Sequence, residues 1–225
     1  MRTPRSAGTP SPYVLLTLAP LFWSCNWIVG RGLSHDVPPF AMTFYRWLFA
    51  IIILAPFGFV LALSYGVNRM QASTMQALFW LFSAVMGLSL ASIFLVYTGA
   101  SIARVFFITA GTFAAMSIYG YTTQRDLSGM GSFMMMGLIG IIIASLVNLF
   151  IASSALQFAI SVIGVIVFTG LTAWDTQRIK EMYFEIDYSD GQMAGKTAIM
   201  GALSLYLDFI NLFMMLLQLL GARRD

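Results

Sequence analysis

Long apolar runs alternate with short polar breaks along the whole chain. After a polar stretch at residues 1–12, rich in Pro, Ser and Thr and expected to be a disordered tail, apolar runs cover 13–30, 40–65, 74–97, 102–121, 130–151, 155–175 and 197–221. Breaks fall at Pro38–Pro39, Asn68–Arg69, Thr98–Gly99, Arg125–Asp126 and Ser153–Ser154, and a charged stretch occupies 176–196. A helix crossing a ~30 Å hydrocarbon core needs about 20 residues at ~1.5 Å each, which is the length scale of these runs. A transmembrane β-barrel would read instead as segments of about ten residues with strict alternation. The pattern therefore predicts an all-α membrane protein with about seven transmembrane helices. The first run follows Arg2 and Arg5, as a signal peptide would. Bulky residues around Ser24–Cys25 make a poor cleavage site, so a retained helix is expected.

Composition removes the alternatives. The 225 residues are 59% hydrophobic and 9% charged, with a mean hydropathy of +0.84, whereas a soluble domain carries about 25% charged residues. A single Cys and seven Pro exclude disulfide-scaffold and collagen-like chains. The net charge of +3 is spread along the chain, so no nucleic-acid partner is expected. Counting loop Lys and Arg favours a cytoplasmic N-terminus: Arg2, Arg5, Arg69, Arg125, Arg178, Lys180 and Lys196 then lie inside, against Arg31, Arg104, Arg223 and Arg224 outside.

Candidate chemistry concentrates in the acids. Asp208 sits eleven residues into the last apolar run, where a carboxylate costs about 2.5–3.5 kcal/mol on insertion scales. It must face the bundle interior. Ser204, Asp208, Asn211, Met215 and Gln218 recur at helical spacing on one stripe of that run. The sixth run has a matching stripe of Ser161, Val165, Thr169 and Thr172, ending at Asp175 or Thr176.

Two readings of the acids stand. If Asp175 and Asp208 meet, they titrate as one unit and make a proton-sensitive latch or an oxygen-lined calcium site. Otherwise Asp175 is interfacial beside Arg178, and Asp208 is a hydrogen-bonded packing residue. Depth separates the readings: Asp208 lies about 16 Å into its helix, while Asp175 is placed near the end of its own. They meet only if the helices are offset or the 176–196 loop dips into the membrane.

Other residues point to packing. Arg46 and Arg104 are expected to snorkel to the interface. His35 lies in a loop and Cys25 in an apolar run, neither with a metal-ligand partner at suitable spacing, and the Met pairs read as adaptable packing. Ala110, Gly111, Ala114 and Ala115, with Gly137 and Gly140, suggest close helix approach. No P-loop, HExxH, GxSxG or CxxC is present, so no enzyme and no cofactor are expected.

Trp174-Asp175-Thr176-Gln177-Arg178-Ile179-Lys180 and Leu205-Tyr206-Leu207-Asp208-Phe209-Ile210-Asn211-Leu212-Phe213 resemble the Bax-inhibitor family. Asn68-Arg69-Met70, Ala77-Leu78-Phe79-Trp80, Ile93-Phe94-Leu95-Val96-Tyr97-Thr98 and Gly129-Met130-Gly131-Ser132-Phe133 extend the likeness over residues 56–225. The resemblance implies six helices surrounding a central C-terminal helix, a pH-sensitive calcium leak, bacterial relatives and a place in the bacterial inner membrane. It also implies that Asp175 and Asp208 form the proton-sensing pair; Ser204, Asn211 and Thr172, from the two stripes, are its expected polar surroundings.

Residues 13–55 differ from that family's pattern. Leu18-Ala19-Pro20-Leu21-Phe22-Trp23-Ser24-Cys25-Asn26-Trp27, followed by Pro38-Pro39 and Phe44-Tyr45-Arg46-Trp47, resemble the first hairpin of EamA-type drug/metabolite transporters. The chain thus reads as a junction near Pro56 between two membrane families. Rival functions are a non-conducting regulator that binds another membrane protein, such as a membrane protease, and a small-metabolite carrier. The carrier is weakened by the absence of an inverted repeat.

Overall fold

The computed structural model describes residues 39–67, 69–185 and 191–224. The first apolar run, with Cys25, and the loop that holds His35 lie outside them, as does the Arg46 side chain. By its contacts the chain falls into two compact units, Met1–Leu54 and Ala55–Asp225. The described residues are almost entirely helical. They form α1 (Pro39–Gly66), α2 (Ala72–Leu90), the single turn α3 (Ile93–Val96), α4 (Gly99–Thr122), α5 (Ser128–Ile151), α6 (Ser154–Glu185) and α7 (Gly191–Leu220).

Among the described residues five segments are long and apolar enough to cross a membrane: Ala72–Val96, Gly99–Thr122, Ser128–Ile151, Ser154–Phe184 and Gly191–Leu220. Leu54–Gly66 is a shorter apolar helix. In a bilayer every backbone N–H and C=O must be satisfied within the protein, and a helix does so within its own segment, which is why continuous apolar runs emerge as helices. The all-α membrane class predicted from the apolar runs therefore holds for the described residues.

The charged stretch 176–196 departs from expectation. Its described residues are helical: α6 runs on to Glu185, and α7 begins at Gly191. Its charges do not break the helix, since Arg, Lys and Glu are good helix formers, and two of the cations find contacts along it. The Arg178 guanidinium lies over the Trp174 ring at 5.4 Å, and Lys180 Nζ donates to the Tyr121 carbonyl at 2.7 Å. The third run is also interrupted, at Ala91–Ser92, between α2 and α3.

α7 packs against α6, α4 and α2, and α6 packs in turn on α4 and α5. Two apolar cores result. Leu212, Phe213, Leu216 and Leu217 of α7 meet Val105 of α4, Ile141 of α5 and Ile160, Val167, Phe168 and Leu171 of α6. Leu203 of α7 meets Met75 and Phe82 of α2 and Leu63 of α1. Around these cores many large apolar side chains point outward, such as Leu149, Phe150, Phe107 and Leu95. An apolar exterior is what lipid requires.

The small-residue expectation needs correcting. Among the described residues Gly111 and Gly140 face open space. The close approaches fall elsewhere: a side chain on Gly120 would run into the Ala173 backbone, and one on Gly131 into the Trp174 ring. Gly137 does pack closely, against Val167. Spacing placed small residues on a face without revealing which face meets a neighbour.

The end of α7 is tied back to the start of α4. Residues 221–224 lie against the α3–α4 corner. Thr98 N donates to Ala222 O at 3.1 Å, Arg224 N to Val96 O at 2.9 Å and Ala222 N to Ser101 Oγ at 2.8 Å. These bonds satisfy backbone groups that the break between α3 and α4 would leave open. They also anchor α7 along its neighbour.

Candidate functional site: an aspartate pair between α6 and α7

The stripes of α6 and α7 face each other, as their contacts show. Gln218 lies against Ser161, Met215 against Gly164, and Gly201 against Ile179, so residue numbers rise on one helix as they fall on the other. Asp175 and Asp208 meet in this antiparallel register, with their carboxyls within hydrogen-bonding reach of each other. The depth objection dissolves because both helices are longer than their apolar runs. Asp175 lies ten residues before the end of α6, and Asp208 seventeen residues after the start of α7.

Asp208 is 5% exposed, and its Oδ2 has no hydrogen-bond partner among the described residues. Asp175 is half-buried, and Arg178, one turn further along α6, is the cation that acts on it. A carboxylate can only accept hydrogen bonds, so two facing carboxyls are joined directly only when one holds a proton. Among the described residues no group of three or more His, Cys, Asp or Glu forms a metal cage. A cation here would take its remaining oxygens from water, hydroxyls and backbone.

The supporting stripe is placed as follows. Thr172 is fully buried, and its hydroxyl donates to the Phe168 carbonyl at 2.8 Å. Asn211 Nδ2 donates to the Leu207 carbonyl at 2.9 Å, and Ser204 is half-buried on α7. Thr172 and Asn211 thus each spend a hydrogen bond on their own helix, which meets the hydroxyl's donor and one of the amide's two.

Gln177 escaped the sequence reading. Its Oε1 accepts from Leu127 N at 2.8 Å, and its Nε2 donates to the Arg125 carbonyl at 2.8 Å. This side chain, 7% exposed, ties the α4–α5 connection to α6 two residues from Asp175. No spacing rule flags it, because its partners are backbone groups fifty residues away. In the same connection Asp126 accepts from Ser128 N at 2.8 Å, and that residue's hydrogen bonds hold its carboxyl below the usual carboxylate range.

A second polar cluster occupies the other end of the α6–α7 seam. Gln157 Nε2 and Ser161 Oγ both approach Gln218 Oε1, at 2.7 and 2.8 Å, and Asn148 Nδ2 donates to Gln157 Oε1 at 3.1 Å. Asn148 Oδ1 accepts from Ser153 N at 3.0 Å. It thereby clamps the α5–α6 turn, where Ala152 is held at a left-handed φ of 51°.

Comparison with known proteins places this chain in a family. The profile of the family described as Inhibitor of apoptosis-promoting Bax1 matches residues 13–225, a span that includes the hairpin set apart above. The uncharacterized protein RP147 of Rickettsia prowazekii is 53% identical over 188 residues, 84% of this chain and 79% of that protein. The inner membrane protein YbhL of Escherichia coli is 55% identical over 173 residues, 77% of this chain and 74% of that protein. An uncharacterized protein of Caulobacter vibrioides is 46% identical over 178 residues, covering 79% and 71%. On the family profile and these relatives, this multi-pass helical membrane protein belongs to the Bax inhibitor family.

Proposed function

We propose that the protein is a pH-gated calcium leak of the bacterial inner membrane, in which Asp175 and Asp208 share protons and set the balance between a closed and a conducting bundle. The observation that carries this reading is the meeting of the two carboxyls between α6 and α7 at a buried position. The name of the relative YbhL supports the inner membrane as the location. With the N-terminus inside, the Asp175 end of the seam faces the cytoplasm.

The mechanism follows from the force between two helices. With one proton on the pair, an O–H···O bond joins α6 to α7. With none, two like charges face each other in a low-dielectric setting. With two, the negative charge that attracts a cation is gone. Arg178 adds an attraction that acts on Asp175 alone. Each protonation state therefore applies a different bias to the same packing, which is what a two-state switch requires. The energy involved need only be modest, since about 1.4 kcal/mol shifts a balance tenfold.

The test is calcium flux into proteoliposomes of monodisperse protein between about pH 5 and 8, which follows the pair as one titrating unit. Wild-type flux is expected to vary with pH, and Asp208→Asn to flatten that response. A mutant that keeps the full wild-type pH profile overturns the pair as sensor. Absence of flux from folded wild type overturns the leak and turns the assignment toward a regulator of another membrane protein.

A further inference from the structure

Buried oxygen atoms with no partner are costly, at about 1–3 kcal/mol each, so their positions are informative. Among the described residues three side-chain atoms qualify: Ser117 Oγ, Thr169 Oγ1 and Asp208 Oδ2. One comes from each of α4, α6 and α7, three helices that pack against one another.

The contacts place the three on facing surfaces. Ser117 stands one turn after Phe113, whose ring packs edge-on to Phe209 of α7 at 5.4 Å, and one turn before Gly120, which abuts Ala173 of α6. Its face of α4 therefore turns toward α6 and α7. Thr169 stands one turn before Ala173 and on the stripe of Ser161, Val165 and Thr172 that looks at α7.

Their depths also agree. Counting back from the Gly120–Ala173 contact, Ser117 is three residues away and Thr169 four, a difference of about 1.5 Å along the parallel helices. Counting from the Gly164–Met215 contact, Thr169 is five residues away and Asp208 seven, a difference of about 3 Å. By these counts the three oxygens lie within about one helical turn of each other in depth. Below that level Met215 lies over Gly164, so close that any side chain on Gly164 would strike it.

We infer that Ser117, Thr169 and Asp208 form an oxygen-lined transit site for a partly hydrated divalent cation, set between α4, α6 and α7 and floored by Met215. This rests on the leak reading and adds to it the route beyond the aspartate pair. Two hydroxyls and one carboxylate oxygen fall well short of the six to eight oxygens calcium prefers, so water completes the shell and the ion is held weakly. A conducting site needs that weakness, because an ion that binds tightly does not leave.

The hydroxyls can be removed without damaging the fold. Deleting a buried hydroxyl that has no partner is neutral or stabilising. Thr112→Val on α4 is the control, since it removes a hydroxyl that already donates to the Ile108 carbonyl at 3.0 Å. The experiment measures calcium flux and melting temperature for wild type, Thr112→Val and Ser117→Ala/Thr169→Val. The double variant is expected to lose flux about tenfold, the effect of ~1.4 kcal/mol of lost ion stabilisation, at an equal or higher melting temperature, while Thr112→Val keeps wild-type flux. Wild-type flux in a stable double variant overturns the transit site and leaves the leak reading standing. Absence of flux in wild type removes the leak reading and the transit site together.

Discussion

The α6–α7 seam carries a polar cluster at each end, and the two obey different rules. At one end Asn148, Gln157, Ser161 and Gln218 are neutral amides and a hydroxyl, which both donate and accept, and hydrogen bonds link Asn148 to Gln157 and both Gln157 and Ser161 to Gln218. At the other end Asp175 and Asp208 are carboxyls, and Asp208 Oδ2 remains without a partner. The amide end can stay as it is through any pH change. The carboxyl end cannot be satisfied without a proton or a cation. The first is a brace; the second, under the proposed leak, is where a proton or cation comes and goes. On that proposal the contrast singles out the carboxyl end, which polarity alone does not, since both ends are polar.

The largest test of the contrast acts on the frame of the carboxyl end. Gly120→Ala puts a methyl group into the Ala173 backbone, so α4 and α6 must separate. A loss of about 1–3 kcal/mol is expected from such overpacking. Gly140→Ala, whose new methyl meets open space, is expected to gain about 0.5–1 kcal/mol from helix propensity. Thermal melts in one detergent compare the two, and equal melting temperatures would show that the Gly120 approach is not needed.

A smaller effect is expected at the amide end. Gln218→Leu removes the acceptor shared by Gln157 and Ser161. Hydrogen bonds between membrane helices average about 0.6 kcal/mol, so a slight fall in melting temperature is expected, with the pH profile of flux unchanged. A shifted profile would mean that the brace takes part in gating.

The smallest effect is expected at Asp126. Ser128 holds its carboxyl below the usual range, so Asp126 favours the fold above the ordinary carboxylate pKa of about 3.9 and loses that contribution only as pH falls further. Asp126→Asn should therefore leave any flux response between about pH 5 and 8 in place. A flattened response in this variant would move the sensor out of the seam and into the α4–α5 connection.

Sequence by itself determined the class of molecule and the residues worth watching. Apolar runs of membrane-spanning length force helices, because lipid leaves no other way to satisfy the backbone, and an acid eleven residues into such a run forces an inward-facing side chain. The stripes on α6 and α7 were legible for the same reason, since helical periodicity is a local property. Where those helices end was not. Arg178 and Lys180 read as loop charges until the Trp174 ring and the Tyr121 carbonyl are found beside them. Nor could local pattern tell the packed Gly120 from the open Gly140, or reveal Gln177, whose partners lie fifty residues away. Only the tertiary structure decided that Asp175 meets Asp208. Register between two helices is fixed by contacts such as Met215 on Gly164 and the ties of residues 221–224 to the α3–α4 corner, and those energies depend on residues distant in the chain.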